Sequence, residues 1–148
     1  MWDGRDFHGA KIALTFGERL VTYKRDNIPT IPSPGLWDLP GGGREGSETP
    51  VACALREVEE EFGLIFEPRT VRWCRPYAGA IAGTPCSYFL AASIDPERLD
   101  YVCFGSEGER WEPMRIRDFL DHAQAVPNLQ QRLRDWAEAQ APAVLASS

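Results

Sequence analysis

Between residues 56 and 61 the chain reads Arg-Glu-Val-Glu-Glu-Glu, a base and a run of acids around one apolar position. On an α-helix Glu57, Glu60 and Glu61 stand at i, i+3 and i+4, so their Cβ atoms are neighbours about 5–6 Å apart, while Glu59 points away. Two chemistries fit that spacing. A solvated acidic flank is one, because like charges so placed cost only about 0.2–0.5 kcal/mol per pair. The other is a divalent-ion site, since a hard cation wants several carboxylate oxygens from one side with room left for water and phosphate. A helix C-terminus, whose last carbonyls carry partial negative charge, favours the cation as well.

A helix must present these residues, and the neighbouring sequence supplies its ends. Thr49 can cap free amides, Pro50 takes the first helical position without sacrificing a needed donor, and Gly63 is a natural stop. Val51, Ala54, Leu55, Val58 and Phe62 fall within an arc of about 100° and form the core face. Upstream, Ile12, Leu14 and Phe16, a turn at Gly17-Glu18, then Val21 and Tyr23 predict an antiparallel hairpin. Residues 25–35, with prolines at 29, 32 and 34, form a loop into Trp37-Asp38-Leu39, after which Pro40 and Gly41, Gly42 and Gly43 are expected to end regular structure. Those glycines let backbone and a phosphate approach closely, and equally suit a tight turn. Residues 70–78, 86–94 and 99–104 read as strands, with a further short strand around 109–112 and a short helix over 115–122. Leu129, Leu133 and Trp136 stripe a final helix, before a tail, 141–148, that is expected to fray. That order predicts one domain over residues 1–148, a mixed β-sheet covered by helices.

A net charge of −6 and a pI near 4.9 argue against a broad footprint for nucleic acid or an anionic membrane, which needs clustered Lys and Arg. Cys53, Cys74, Cys86 and Cys103 are scattered with no Cys-x-x-Cys pair, and reduced, buried thiols are expected. The start of the chain has no apolar leader segment, and no stretch reaches the roughly 18 apolar residues of a membrane span, so a soluble, cytoplasmic protein is expected.

The acids also belong to a longer pattern. Gly42, five residues, Glu48, seven residues, then Arg56-Glu57-Val58-x-Glu60-Glu61-x-Gly63-Leu64 resembles the Nudix box, G-x5-E-x7-R-E-U-x-E-E-x-G-U with U apolar, at every specified position. The flanks Trp37-Asp38-Leu39-Pro40-Gly41-Gly42 and Ser106-Glu107-Gly108, with Trp111 beyond, are similar to the family too. The resemblance implies an α/β/α sandwich with a loop–helix–loop motif over residues 42–64. Its implied activity is hydrolysis of a nucleoside diphosphate linked to another moiety, with Mg²⁺ or, in some members, Mn²⁺. It implies that Glu57, Glu60 and Glu61 hold the metal, that Arg56 pairs with a carboxylate and orients it, and that Glu48 supports them from the helix start. The metal would neutralise and orient the diphosphate and acidify a water, whose proton a carboxylate accepts; Glu60 is favoured as that base. Family members often take another carboxylate from a later loop, for which Glu107 is the candidate and Glu109 the alternative.

Substrate signals are thinner. Gly41, Gly42 and Gly43 would border the phosphates, Arg25 could touch one, and Asn128 lies where similar enzymes place a base-reading amide. Trp37, Tyr77 and Trp111 could stack a purine, though aromatic residues at strand ends are more often core. The expected substrate is a small nucleotide, a nucleoside triphosphate in ordinary or oxidised form cleaved to monophosphate and pyrophosphate, acted on by a monomer or homodimer. ADP-ribose or a dinucleoside polyphosphate is the alternative substrate, and a non-catalytic nucleotide sensor the alternative class.

Overall fold

The computed structural model describes residues 2–79 and 82–147, with 141–147 described by backbone alone. Its sheet is organised around β1 (Phe7–Phe16). One edge of β1 pairs in parallel with β6 (Cys86–Ser93), outside which β5 (Val71–Tyr77) lies antiparallel. The other edge is shared. Its first half takes β4 (Gly41–Gly43), with Gly9 opposite Gly43 and Lys11 opposite Gly41, and its end takes β2 (Arg19–Lys24) at Thr15 and Phe16. β2 then leaves β1 to pair with β7 (Arg110–Arg115) along its length and with β3 (Trp37–Asp38) at Tyr23 and Lys24. The mixed sheet therefore splits between β2 and β4, and the chain crosses that split through Leu39-Pro40.

Alternation along β6 sorts the core into two layers, as a period-2 strand covered on both faces must. Tyr88, Leu90 and Ala92 pack with Ile12, Leu14 and the buried face of α1 (Pro50–Phe62). Phe89 and Ala91 face the opposite way, against Phe119 of α2 (Ile116–Asp121) and Leu129 and Leu133 of α3 (Pro127–Ser147). This is the expected α/β/α sandwich. Among the described residues no helix is long and apolar enough to cross a membrane.

The structure differs from the sequence reading in several places. Gly41–Gly43 do not end regular structure; they form β4, because a residue without a side chain can lie against β1 where a Cβ on Gly41 would run into the Ala10 carbonyl. Residues 99–104 are not a strand. Asp95 accepts from the Glu97 amide at 3.0 Å and starts a 3-10 segment, Pro96–Tyr101, so a cap followed by proline overrides the β-branched and aromatic composition. Of the cysteines only Cys53 is buried, while Cys74 and Cys103 are exposed. The helix α3 runs on through residues 141–147, read from the sequence as a frayed tail; Ser148 lies outside the described residues.

Candidate active site

Thr49 begins α1, its hydroxyl accepting from the Ala52 amide at 3.1 Å, and Gly63 ends it in the left-handed region at φ 68°. With Val58 and Phe62 fully buried, the rotation of the helix is fixed. That rotation turns Glu57 and Glu61 toward β4 and leaves the Glu60 side chain 56% exposed. Glu61 is 6% exposed and accepts a hydrogen bond from the Gly41 amide at 2.9 Å. Burial pushes its carboxyl up to about 8; the Gly41 amide and the Lys11 charge oppose that shift, and Glu57 and Asp38 reinforce it. Glu57 is raised as well, first by burial, with Arg56 opposing and the charges of Glu60 and Glu107 adding to it. Gly42 is what lets Glu57 lie there, since a Cβ at that position would sit 2.6 Å from its carboxyl carbon.

Arg56 is the local cation. Its Nε and Nη2 grip Glu48 at 2.7 and 3.1 Å, its Nη1 reaches Glu57 at 3.0 Å and Glu60 at 3.1 Å, and Nη2 also donates to the Gly43 carbonyl at 2.8 Å. Glu48 holds Arg56 further above its ordinary value, and Arg56 in turn holds Glu48 below the usual carboxylate range. The arginine thus ties the start of the helix, its acidic end and the glycine strand together.

Glu107 arrives on the loop after the 3-10 segment. Cys103 and Gly105 donate their amides to the Phe62 and Glu61 carbonyls, each at 2.9 Å, docking the loop on the end of α1. Gly108 sits tight on the far side, at φ 114°, where a Cβ would lie 2.9 Å from the Lys24 carbonyl. Glu107 is close enough to act electrostatically on Glu57, whereas Glu109 pairs with Lys24 at 3.4 Å. The same loop corrects one expectation: amides of the chain already occupy helix-end carbonyls that were expected to favour a cation.

Glu57, Glu60 and Glu61 stand together at the end of α1, each on a protein donor. Among the described residues no three His, Cys, Asp or Glu groups stand in ion-holding geometry. Glu57 and Glu60 share Arg56 Nη1 and Glu61 turns to Gly41, because a partly buried carboxylate takes the nearest donor. By chemistry the set still fits a hard divalent cation: all oxygen donors, four carboxylates with Glu107, and two neighbouring bases each shared with a further acid, Arg56 with Glu48 and Lys11 with Asp38.

The structure also places the remaining candidates. Arg25 Nη1 pairs with Asp38 at 2.8 Å and its Nε donates to the Pro32 carbonyl at 2.8 Å, pinning the proline loop. Asn128 is exposed in the first turn of α3. Trp37 is buried under Arg110, Trp111 packs edge-on against Phe62, and Tyr77 lies between Arg75 and Arg132 with its hydroxyl on Asp135, so all three serve the fold. Missing from the sequence reading was the role of Lys11 and Asp38. Lys11 Nζ reaches Asp38 at 3.0 Å and the Leu39 and Gly41 carbonyls at 3.1 and 3.3 Å; Asp38 also accepts from Tyr23 and from its neighbour Leu39. The available signal was a single charge inside each of two otherwise apolar strands.

Comparison with known proteins agrees with this arrangement. The NUDIX domain model matches residues 8–136. A CMP-5'-(N-acetyl-N-hydroxy-3-aminopropyl)phosphonate hydrolase of Streptomyces rubellomurinus is 36% identical over 72% of this chain, which spans about half (52%) of that protein's length. An 8-oxo-dGTP diphosphatase of Proteus vulgaris is 50% identical over a shorter stretch, 20% of this chain and 27% of that one. A mutT/nudix family protein from Listeria innocua superposes with a TM-score of 0.71 over 96% of this chain and 98% of its own, at 19% identity, and so shares the fold. The box residues, the sandwich that carries them and the extent of the match lead to one conclusion: the chain belongs to the NUDIX domain family.

Proposed function

We propose that the chain hydrolyses a phosphoanhydride in a nucleoside diphosphate linked to a further group, with a nucleoside triphosphate, ordinary or oxidised, cleaved to monophosphate and pyrophosphate. The observation that carries this reading is the charge imbalance around β4: Glu57, Glu60, Glu61 and Glu107 gather beside side-chain-free glycines with two bases near them, Arg56, shared with Glu48, and Lys11, held by Asp38. Glu57, Glu60 and Glu61 would hold Mg²⁺ or Mn²⁺, and the exposed Glu60 is freest to turn from Arg56. Bound there, the ion would supply charge neutralisation for the diphosphate and acidify the attacking water. Arg56, anchored on Glu48, keeps the carboxylates oriented. Gly42 and Gly43 let the phosphates come against backbone. Glu60 accepts the proton of the attacking water, with Glu107 on its docked loop supporting the cluster.

The Streptomyces similarity favours a second substrate, a CMP–phosphonate whose phosphate–phosphonate anhydride is cleaved by the same chemistry. The test is a panel of nucleoside triphosphates, 8-oxo-dGTP, a CMP–phosphonate, ADP-ribose and a dinucleoside polyphosphate, assayed with and without Mg²⁺ and with products separated by chromatography. Metal-dependent release of a nucleoside monophosphate from one of them is expected. Binding without turnover across the panel would favour a sensor and overturn the hydrolase reading.

A further inference from the structure

The Pro40–Gly41 peptide is held from both sides. Its carbonyl accepts from the Ile12 amide at 2.8 Å, and its N–H, on the opposite side of a trans peptide, donates to Glu61 at 2.9 Å. The carbonyls on either side, of Leu39 and Gly41, both turn to Lys11 Nζ, which is itself held by Asp38. Asp38 is in turn fixed by Tyr23 at 3.0 Å and Arg25 at 2.8 Å. One ammonium group therefore fixes the turn that fixes Glu61. Replacing Lys11 alone would leave buried Asp38 with Arg25 as its remaining cation and take the shared donor from the Leu39 and Gly41 carbonyls, so a cost in stability is expected and the effect on the turn has to be read separately from it.

We propose that Lys11 and Asp38 are positioning residues for Glu61: they lock the Leu39-Pro40-Gly41 turn so that the Gly41 amide is aimed at the Glu61 carboxylate, and thereby set how that carboxylate meets a divalent cation. The kinetic consequence rests on the hydrolase reading; the geometric one does not.

The test compares wild type with Lys11→Met and Lys11→Arg, first confirming folding by near-UV circular dichroism. Mn²⁺ affinity is measured by water-proton relaxation, the Gly41 amide is followed by ¹⁵N-¹H NMR, and kcat and KM are measured on the best substrate of the panel. Because Lys11 acts through the Gly41 amide, Lys11→Met is expected to weaken Mn²⁺ binding by up to about tenfold, the lower end of what is lost when a ligand's direct partner is removed. The Gly41 amide proton should move upfield as its hydrogen bond loosens, and kcat should fall by a similar factor with KM nearly constant. Lys11→Arg should regain most of both. A Lys11→Met protein with wild-type Mn²⁺ affinity and an unmoved Gly41 resonance overturns the proposal, even if its melting temperature drops. Should that variant not fold, Asp38→Asn is read by the same two measurements and the same criteria. A wild type that binds Mn²⁺ but cleaves nothing defeats the hydrolase reading alone, and the affinity and resonance changes still decide this one. A wild type that binds no Mn²⁺ defeats both.

Discussion

Asp38 and Glu61 are both buried acids beside Gly41, and the chain treats them in opposite ways. Asp38 is given the Leu39 amide, the Tyr23 hydroxyl and two cations, Lys11 and Arg25. Among the described residues Glu61 is given one amide and the more distant charge of Lys11, with the acids Glu57 and Asp38 pushing against its own charge. A carboxylate matched by its surroundings is a structural joint; one left short of donors retains capacity for a cation. The difference separates what holds the split sheet together from what that split exposes to chemistry.

The comparison breaks most visibly at Asp38. Asp38→Ala would leave Lys11 and Arg25 partly buried without their partner, and should lower unfolding stability by about 3–5 kcal/mol in urea titrations. A loss under about 1 kcal/mol would show that the joint is not holding the sheet.

For Glu61 the expected sign is reversed. Burial holds its folded pKa at about 8, above the ordinary carboxylate value of 4.5, so without divalent ions the native protein keeps a proton that the unfolded chain has released. This contribution to stability is complete below about pH 4.5 and is lost as pH rises through about 8, of order 5 kcal/mol across that window. Urea midpoints measured in EDTA should show the decline, Glu61→Gln should flatten it, and Mg²⁺ should oppose it.

In activity, Glu61→Gln keeps side-chain volume but removes the anion proposed to bind the metal. It should cost at least about a hundredfold in kcat/KM, more than positions one step out from a metal usually do, with melting in EDTA unharmed. Gly42→Ala sharpens the contrast on a smaller scale. Its Cβ would displace only the flexible end of Glu57, so turnover should fall about tenfold, a loss like that of disturbing a ligand's support, while stability barely changes. Least of all, Glu109→Ala removes an exposed pair with Lys24 and should alter stability by under about 0.5 kcal/mol and turnover not measurably.

Much of the acidic helix was legible before any fold was known. Its cap at Thr49, its stop at Gly63 and the shared face of Glu57, Glu60 and Glu61 follow from contacts within one or two turns. Less legible was β4, because three glycines say that backbone comes close to something without saying to what. The partner of Arg25 was not legible either, because a basic residue before a proline loop has the same local appearance whether or not it meets Asp38, 13 residues on.

By itself the sequence determined the helix, its ends, its phase and the acids standing together on it, since capping and 3.6-residue periodicity are local. Tertiary structure alone decided which acid would lose its water and what each would meet. The Gly41 amide reaches Glu61 across 20 positions and Lys11 reaches Asp38 across 27. Such pairings depend on how β1 divides its edge between β2 and β4, and burial, which sets the cost of a charge, exists only once that packing has formed.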